Sequence, residues 1–249
     1  MDQRDHEQQP GTPTWADITS ADPEAAASFL EQVLGWQVDD GNEELGGYRV
    51  AMSQQMAAGA IAPAMPAEGQ QHEGDETIVY LATDDVEASC ARIDELGGQV
   101  EFGPHDVAEL GRMAVATDPL GNRFGLWQAG SLGGFSAVND HGLPTWFEVR
   151  GKDLDRLGSF YGELFGLELE DREVSGQRYL LGEEVGITDA EPGWMAYYWV
   201  DDLDAAVETA RGLGAELVAG PVDFQYGRFA DLRTPGGAAL GLFHPGERG

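Results

Sequence analysis

The chain has 249 residues, 42% of them hydrophobic and 24% charged, a balance that suits a folded protein with room for two ordinary domains. Asp and Glu number 45 against 14 Lys and Arg, a net charge of −31 that repels phosphate backbones and argues against a nucleic-acid partner. No apolar run approaches the roughly 18 residues of a membrane span, the polar opening MDQRDHEQQP does not read as a secretory signal, and the single cysteine, Cys90, excludes an intramolecular disulfide. A cytoplasmic protein is expected.

Residues 1–12 read as a flexible tail. Thr14 to Ser20 reads as a strand, and Asp22-Pro23 opens a helix, the acid as N-cap and the proline in the first turn. The segment AAASFLEQVLG carries apolar residues at helical spacing and stops at Gly35. Short strands are expected near 36–40, 45–53 and 57–62, followed by a loop or lid hinge from Pro63 to Asp75. The scheme then restarts. Thr77 to Thr83 is a strand, Asp84 to Leu96 a helix ended by Gly97-Gly98, and strands follow near 99–102, 111–117 and 123–128. Around residues 129–142, AGSLGGFSAVNDHG is rich in Gly, Ser and Asn, as a flexible linker should be.

Beyond the linker the same text is read again. Pro13-Thr14-Trp15-Ala16-Asp17-Ile18 returns as Pro144-Thr145-Trp146-Phe147-Glu148-Val149, and Asp22, Phe29 and Gly35 return as Asp153, Phe160 and Gly166, all at an offset of 131. Downstream the offset falls to 117 (Asp84-Asp85-Val86 with Asp201-Asp202-Leu203; Gly103-Pro104 with Gly220-Pro221). It then falls to 116 (Gly111-Arg112 with Gly227-Arg228; Gly125-Leu126-Trp127 with Gly241-Leu242-Phe243). The second copy lacks the Pro63–Asp75 loop. The expected organisation is a tail (1–12), a first domain (13–129), a linker (130–142) and a second domain (143–246). The fold class is α+β: each domain pairs two βαβββ modules into a curved, cup-shaped, mainly antiparallel sheet with helices outside.

These signatures resemble the vicinal oxygen chelate superfamily, which holds glyoxalase I, extradiol dioxygenases and bleomycin-resistance proteins. The resemblance rests on Asp22, Phe29, Leu30 and Gly35, on Asp153, Phe160, Tyr161 and Gly166, and on Asp118-Pro119-Leu120-Gly121-Asn122-Arg123-Phe124 with its echo Thr234-Pro235-Gly236-Gly237. The tandem that opens with Pro-Thr-Trp is similar to actinobacterial proteins described as hydroxylases or as glyoxalase-like. The resemblance implies metal ligands at inward strand positions. Here those positions hold Trp15 and Trp146, Ile78 and Met195, and Gly125 and Gly241, with Glu183 or Glu184 near a fourth. Indole, alkyl, thioether and glycine groups do not make a site for the hard or borderline divalent ions such enzymes use, so no metal and no cofactor is expected.

Period-two alternation from those positions aims Trp15, Asp17, Tyr80 and Trp127 into the first cup, and Trp146, Glu148, Tyr197, Trp199 and Phe243 into the second. These are the candidate ligand-binding residues, a stacking surface for a planar aromatic. Asp17 and Glu148 offer one carboxylate per cup, as counter-ion or base; Arg112 and Arg228 recur and are expected to pair with those acids or to hold a ligand oxygen. Four of the five histidines fall in the tail (His6, His244), the loop (His72) and the linker (His141), and His105 has no counterpart in the second copy. The leading expectation is metal-independent binding of a small aromatic molecule, with a cationic one favoured by the acidity, for sequestration, self-resistance or hand-over to a partner biosynthetic enzyme. Against it stand a metal-free enzyme working through Asp17 or Glu148, a metal enzyme with other ligands, and a structural module. A monomer or homodimer is expected, with no nucleic-acid or membrane partner.

Overall fold

The computed structural model describes residues 1–6, 8–64, 74–174 and 176–246. Most of the expected Pro63–Asp75 loop, with His72, lies outside the described residues.

The first domain runs β2 (Pro13–Ser20), α1 (Pro23–Leu34), β3 (Gln37–Val38), β4 (Arg49–Ser53), β5 (Met56–Pro63), β6 (Glu76–Ala82), α2 (Val86–Glu95), β7 (Gln99–Val107), β8 (Gly111–Thr117) and β9 (Arg123–Ala129). The second runs β11 (Pro144–Arg150), α3 (Leu154–Phe165), β12 (Glu170–Val174), β13 (Gln177–Leu181), β14 (Val185–Thr188), β15 (Gly193–Trp199), α4 (Leu203–Gly212), β16 (Glu216–Phe224), β17 (Gly227–Arg233) and β18 (Ala239–Pro245). Strands β1 (Asp2–Gln3) and β10 (Ala137–Val138) belong to the tail and the linker.

The helix boundaries follow from their caps. Asp22 Oδ1 accepts from Ala25 N at 3.0 Å and Asp153 Oδ1 from Arg156 N at 3.0 Å. At the other ends Gly35 and Gly166 take left-handed φ of 68° and 74°, which glycine adopts without steric cost. Two expected strands shift. The first module's second strand starts at Arg49, because a short 3-10 turn occupies Glu43–Leu45. The strand expected at 99–102 runs on to Val107, crossing two register shifts opposite β8.

Each domain carries one eight-stranded sheet. The orders are β3-β4-β5-β2-β6-β9-β8-β7 and β12-β13-β14-β11-β15-β18-β17-β16, so the two copies share one topology. Pairing is mainly antiparallel, with β2–β5 and β6–β9 parallel in the first sheet and β11–β14 and β15–β18 in the second. The domains meet at their backs: β6 lies against β15, α1 against α4 and α2 against α3. One apolar cluster spans both, with Trp36 edge-on to Tyr198 at 5.1 Å and Phe124 edge-on to Tyr161 at 5.6 Å. Burying such surface at about 25 cal/mol per Å² is what binds the halves.

The tail and linker, expected to be flexible, take part in that seam. Asp2 and Gln3 pair with Val138 and Ala137, Arg4 N donates to Ser136 O at 2.9 Å, and Phe135 N donates to Thr14 O at 2.8 Å. Backbone pairing and the burial of Phe135 (2% exposed) hold them in place. Among the described residues no helix is long and apolar enough to cross a membrane.

Candidate functional site

Alternation along β2 places Trp15, Asp17 and Thr19 on the cup face, opposite Tyr80 and Ile78 of β6. Asp17 is 3% exposed. Its Oδ1 accepts from the Tyr48 hydroxyl at 2.6 Å and from Trp15 Nε1 at 3.0 Å, and the Tyr80 hydroxyl also bonds the carboxylate. Burial outweighs these three donors and raises the Asp17 pKa to about 6. The Tyr80 ring lies where a side chain at Gly125 would stand: a Cβ there would come within 2.0 Å of it. Linker residues cover the side of this cup nearest Trp15. Phe135 stacks on the Trp15 ring (5.2 Å, 24°), and Trp127 Nε1 donates to Leu132 O at 2.9 Å.

The second cup uses the same frame with different groups. Glu148 Oε1 accepts from the Tyr179 hydroxyl at 2.9 Å, and Oε2 accepts from Arg150 Nη2 at 2.7 Å and Nε at 3.0 Å. Arg150 Nη1 reaches Asp231 Oδ2 at 2.9 Å. The Tyr197 hydroxyl accepts from Arg150 Nη2 at 2.6 Å and donates to Asp231 Oδ1 at 2.8 Å. Trp146 Nε1 donates to the Tyr179 hydroxyl at 2.8 Å, as Trp15 does to Tyr48. Burial works against the Arg150 charge, but Tyr197, Glu148 and Asp231 around it outweigh that and hold the guanidinium protonated. Burial, with Glu148 beside it, likewise keeps Tyr179 protonated. Above this floor stands an aromatic wall. Phe229 meets Tyr197 at 6.2 Å, Phe224 meets Phe229 at 5.6 Å and Phe243 at 6.1 Å, and Trp199 meets Phe243 at 6.4 Å. Trp199, Phe224, Phe229 and Phe243 are all half-buried. By the repeat offsets their first-domain counterparts are Ala82, Val107, Met113 and Trp127.

The structure thus brings Trp15, Asp17 and Tyr80 together, and separately Trp146, Glu148 and Tyr197, with Trp199 and Phe243 at the mouth of the second cup. Two expectations need correcting. Arg112 pairs with Asp106 (2.6 Å) and Glu87, and Arg228 with Asp204 (2.9 Å) and Asp223, all on the outer surface, so neither meets a cup acid. Glu148 is not a spare counter-ion, because Arg150 already neutralises it. Sequence reasoning missed Tyr48, Tyr179, Arg150, Asp231, Phe224 and Phe229. Tyr48 and Tyr179 share the 131 offset, and Arg150 follows Glu148 by the two residues that strand alternation requires, so those three were within reach.

A profile of the Glyoxalase/Bleomycin resistance protein/Dioxygenase superfamily matches residues 12–126 and 144–242, one match to each domain. The chain belongs to this superfamily. Among its relatives, CFP32 of Mycobacterium bovis, which carries a glyoxylase name, is 36% identical over 94% of this chain and 95% of its own. The anthracycline biosynthesis protein DnrV of Streptomyces peucetius is 32% identical over 94% of this chain and 93% of its own. Solved structures with the same fold include the Mn(II)-bound glyoxalase of Novosphingobium aromaticivorans (TM-score 0.67, 16% identity, 95% of this chain and 83% of that one). The 2,3-dioxygenase LapB of Pseudomonas sp. KL28 is another (TM-score 0.65, 15% identity, 96% and 93%).

Within this superfamily a metal is the group the fold implies, and the donors present do not fit one. In the first cup the positions hold an indole already bonded to Asp17, an isoleucine, and a glycine overlain by Tyr80. In the second they hold Trp146, Met195 and Gly241, the last overlain by Tyr197, and Glu184 is bound to Arg4. Among the described residues no group of three His, Cys, Asp or Glu side chains is arranged to hold an ion.

Proposed function

We propose that the protein binds a small planar aromatic molecule, chiefly in the second cup and without a metal, to sequester it or hand it to a biosynthetic enzyme. The observation that carries this reading is the half-buried wall of Trp199, Phe224, Phe229 and Phe243 above a saturated polar floor. Each of the three guanidinium nitrogens of Arg150 has an acceptor on that floor, and two carboxylates flank the charge, so a ligand gains little there by adding charge. It gains by stacking, at about 0.5–1.5 kcal/mol per ring pair beyond burial. The relatives named for anthracycline biosynthesis support the class of ligand, since anthracyclines are fused-ring aromatics. Saturable quenching of tryptophan fluorescence by fused-ring compounds, lost in Trp199→Leu and in Phe243→Leu, is the expected result. A diverse aromatic panel that leaves the fluorescence unchanged overturns the reading.

A second reading attaches to the first cup. A carboxyl with a pKa near 6, touching two tyrosines, is suited to exchange a proton near neutral pH. It makes Asp17 the candidate acid or base of a metal-free reaction. Turnover that disappears in Asp17→Asn with ligand affinity kept would favour it over simple binding.

A further inference from the structure

The row of rings in the second cup does not end at its wall. Tyr197 on the floor meets Phe229, Phe229 meets Phe224, and Phe224 meets the Tyr226 ring edge-on at 5.8 Å. Exposure rises along this row from 4% at Tyr197 to 64% at Tyr226, the most exposed large apolar side chain among the described residues. A lone exposed ring needs no explanation, but one that continues a half-buried aromatic face extends the surface a ligand can use. In the first domain the residues that match Phe229 and Phe224 are Met113 and Val107, and the turn that matches Gln225-Tyr226 is Ala108-Glu109-Leu110. The two turns are also held differently. Linker residues bind the β7–β8 turn: Gly130 N donates to Leu110 O at 2.9 Å, Ser131 N to Glu109 O at 2.9 Å and Leu132 N to Leu110 O at 3.0 Å. Among the described residues the β16–β17 turn receives one such bond, from Gly246 N to Tyr226 O at 3.1 Å. An exposed tip with few backbone ties is the kind of segment that opens and closes locally.

We propose that Tyr226 sets the ligand size that the second cup prefers: the β16–β17 turn closes its ring over the outer end of a bound aromatic, favouring three or more fused rings over one or two. The proposal rests on the reading of the second cup as the aromatic site. Aromatic rings attract one another with centroids about 4.5–7 Å apart. Phe224 stands between Phe243 and Tyr226 and touches both, at 6.1 and 5.8 Å. A one- or two-ring compound held by Trp199 and Phe243 leaves Tyr226 without a ligand ring to meet. A further fused ring carries the ligand past Phe224 and into reach of Tyr226. Tyrosine suits such a tip, because its ring can pack on the ligand while its hydroxyl stays in water.

Calorimetric titration of the full-length protein compares alizarin, which has three fused rings, with naphthol, which has two. Tyr226→Ser should weaken alizarin about tenfold, the contribution of one aromatic contact with its burial, and naphthol by less than about twofold. Tyr226→Phe keeps the ring and should keep alizarin bound, whereas Trp199→Leu should weaken both probes. In the wild type, alizarin should also slow hydrogen exchange at residues 224–227 and naphthol should not, a change that a merely structural tyrosine would not produce. Equal losses for the two probes in Tyr226→Ser, no loss for either, or exchange at residues 224–227 unaltered by alizarin overturns the proposal and leaves the cup reading standing. If neither probe binds the wild type, the proposal falls together with the cup reading.

Discussion

Asp17 and Glu148 stand at equivalent points of two sheets with the same strand order, each bonded by a tyrosine that also receives an indole N–H, yet their electrostatic settings are opposite. Asp17 has only neutral donors, and burial drives it toward its protonated form. Glu148 faces Arg150 where the first copy has Thr19, and Arg150 faces Asp231 where the first copy has Val115. Three substitutions therefore turn one scaffold into a buried carboxyl with no cation beside it and a closed ionic floor. A duplicated fold fixes where side chains point; the residues at a few inward positions decide whether a charge is tolerated there.

The sharpest way to break this comparison is to remove Arg150. Arg150→Met leaves Glu148 and Asp231 buried without their cation and should lower stability by about 3–5 kcal/mol, read as a drop in the urea midpoint. If the first cup is a true guide, the triple variant that installs its residues (Glu148→Asp, Arg150→Thr, Asp231→Val) should recover most of that loss. A triple variant no better than Arg150→Met would mean that the two frames are not equivalent.

At Asp17 the expected sign reverses. Its folded pKa of about 6 lies above the ordinary 3.8. The protonated carboxyl therefore contributes stability that is fully present below about pH 4 and is lost as pH rises through 6. Asp17→Asn keeps an oxygen for Tyr48 and Trp15 and carries no charge. It should be more stable than the wild type by about 3 kcal/mol above pH 7 and indistinguishable near pH 4. Glu148→Gln, by contrast, should destabilise at neutral pH because it removes one of the two carboxylates that neutralise the buried Arg150. Denaturation of both variants across pH 4–8 checks the two signs together.

How much of this was legible beforehand follows the same division. Duplication, element order and the capped helices were legible because apolar spacing and Asp, Pro and Gly signals are local, and the offsets 131, 117 and 116 carried them across the linker. The inward placement of Trp15, Asp17, Tyr80, Trp146, Glu148 and Tyr197 was legible from strand alternation, whereas Tyr48, Tyr179 and Asp231 went unread. What joins them was not. Asp231 reaches Arg150 only through the β15–β18–β17 neighbourhood, which sequence spacing does not reveal, and Arg112 and Arg228 recur for surface pairing rather than for the cups. Phe135 and Arg4 were read as parts of flexible segments on composition alone, although their burial depends on the two domains meeting.

The glycines at 125 and 241 refine the comparison at a smaller scale. A Cβ at Gly125 would come within 2.0 Å of the Tyr80 ring and one at Gly241 within 2.3 Å of Tyr197, so alanine at either must push a ring aside. The expected cost is about 1–3 kcal/mol each. Gly241→Ala should be the worse of the two, because Tyr197 is tied to Arg150 and Asp231 and cannot shift without straining them. Equal thermal shifts would mean that the ionic floor does not stiffen its tyrosine.

The smallest effect is expected where the two copies agree. Arg112 and Arg228 sit at matching positions on the outer surface, each bridging a helix acid (Glu87, Asp204) and a strand acid (Asp106, Asp223). Exposed pairs gain little, because water and salt screen the attraction and long side chains lose freedom in making it. Arg112→Ala and Arg228→Ala should each move the urea midpoint only slightly, by similar amounts, and by less as salt is raised. Both should leave aromatic ligands bound as before, since neither residue reaches a cup. A loss of ligand affinity in Arg228→Ala alone would show that the wall of Phe224 and Phe229 depends on the strand edge that Arg228 clamps. The working difference between the cups would then extend from their floors to their rims.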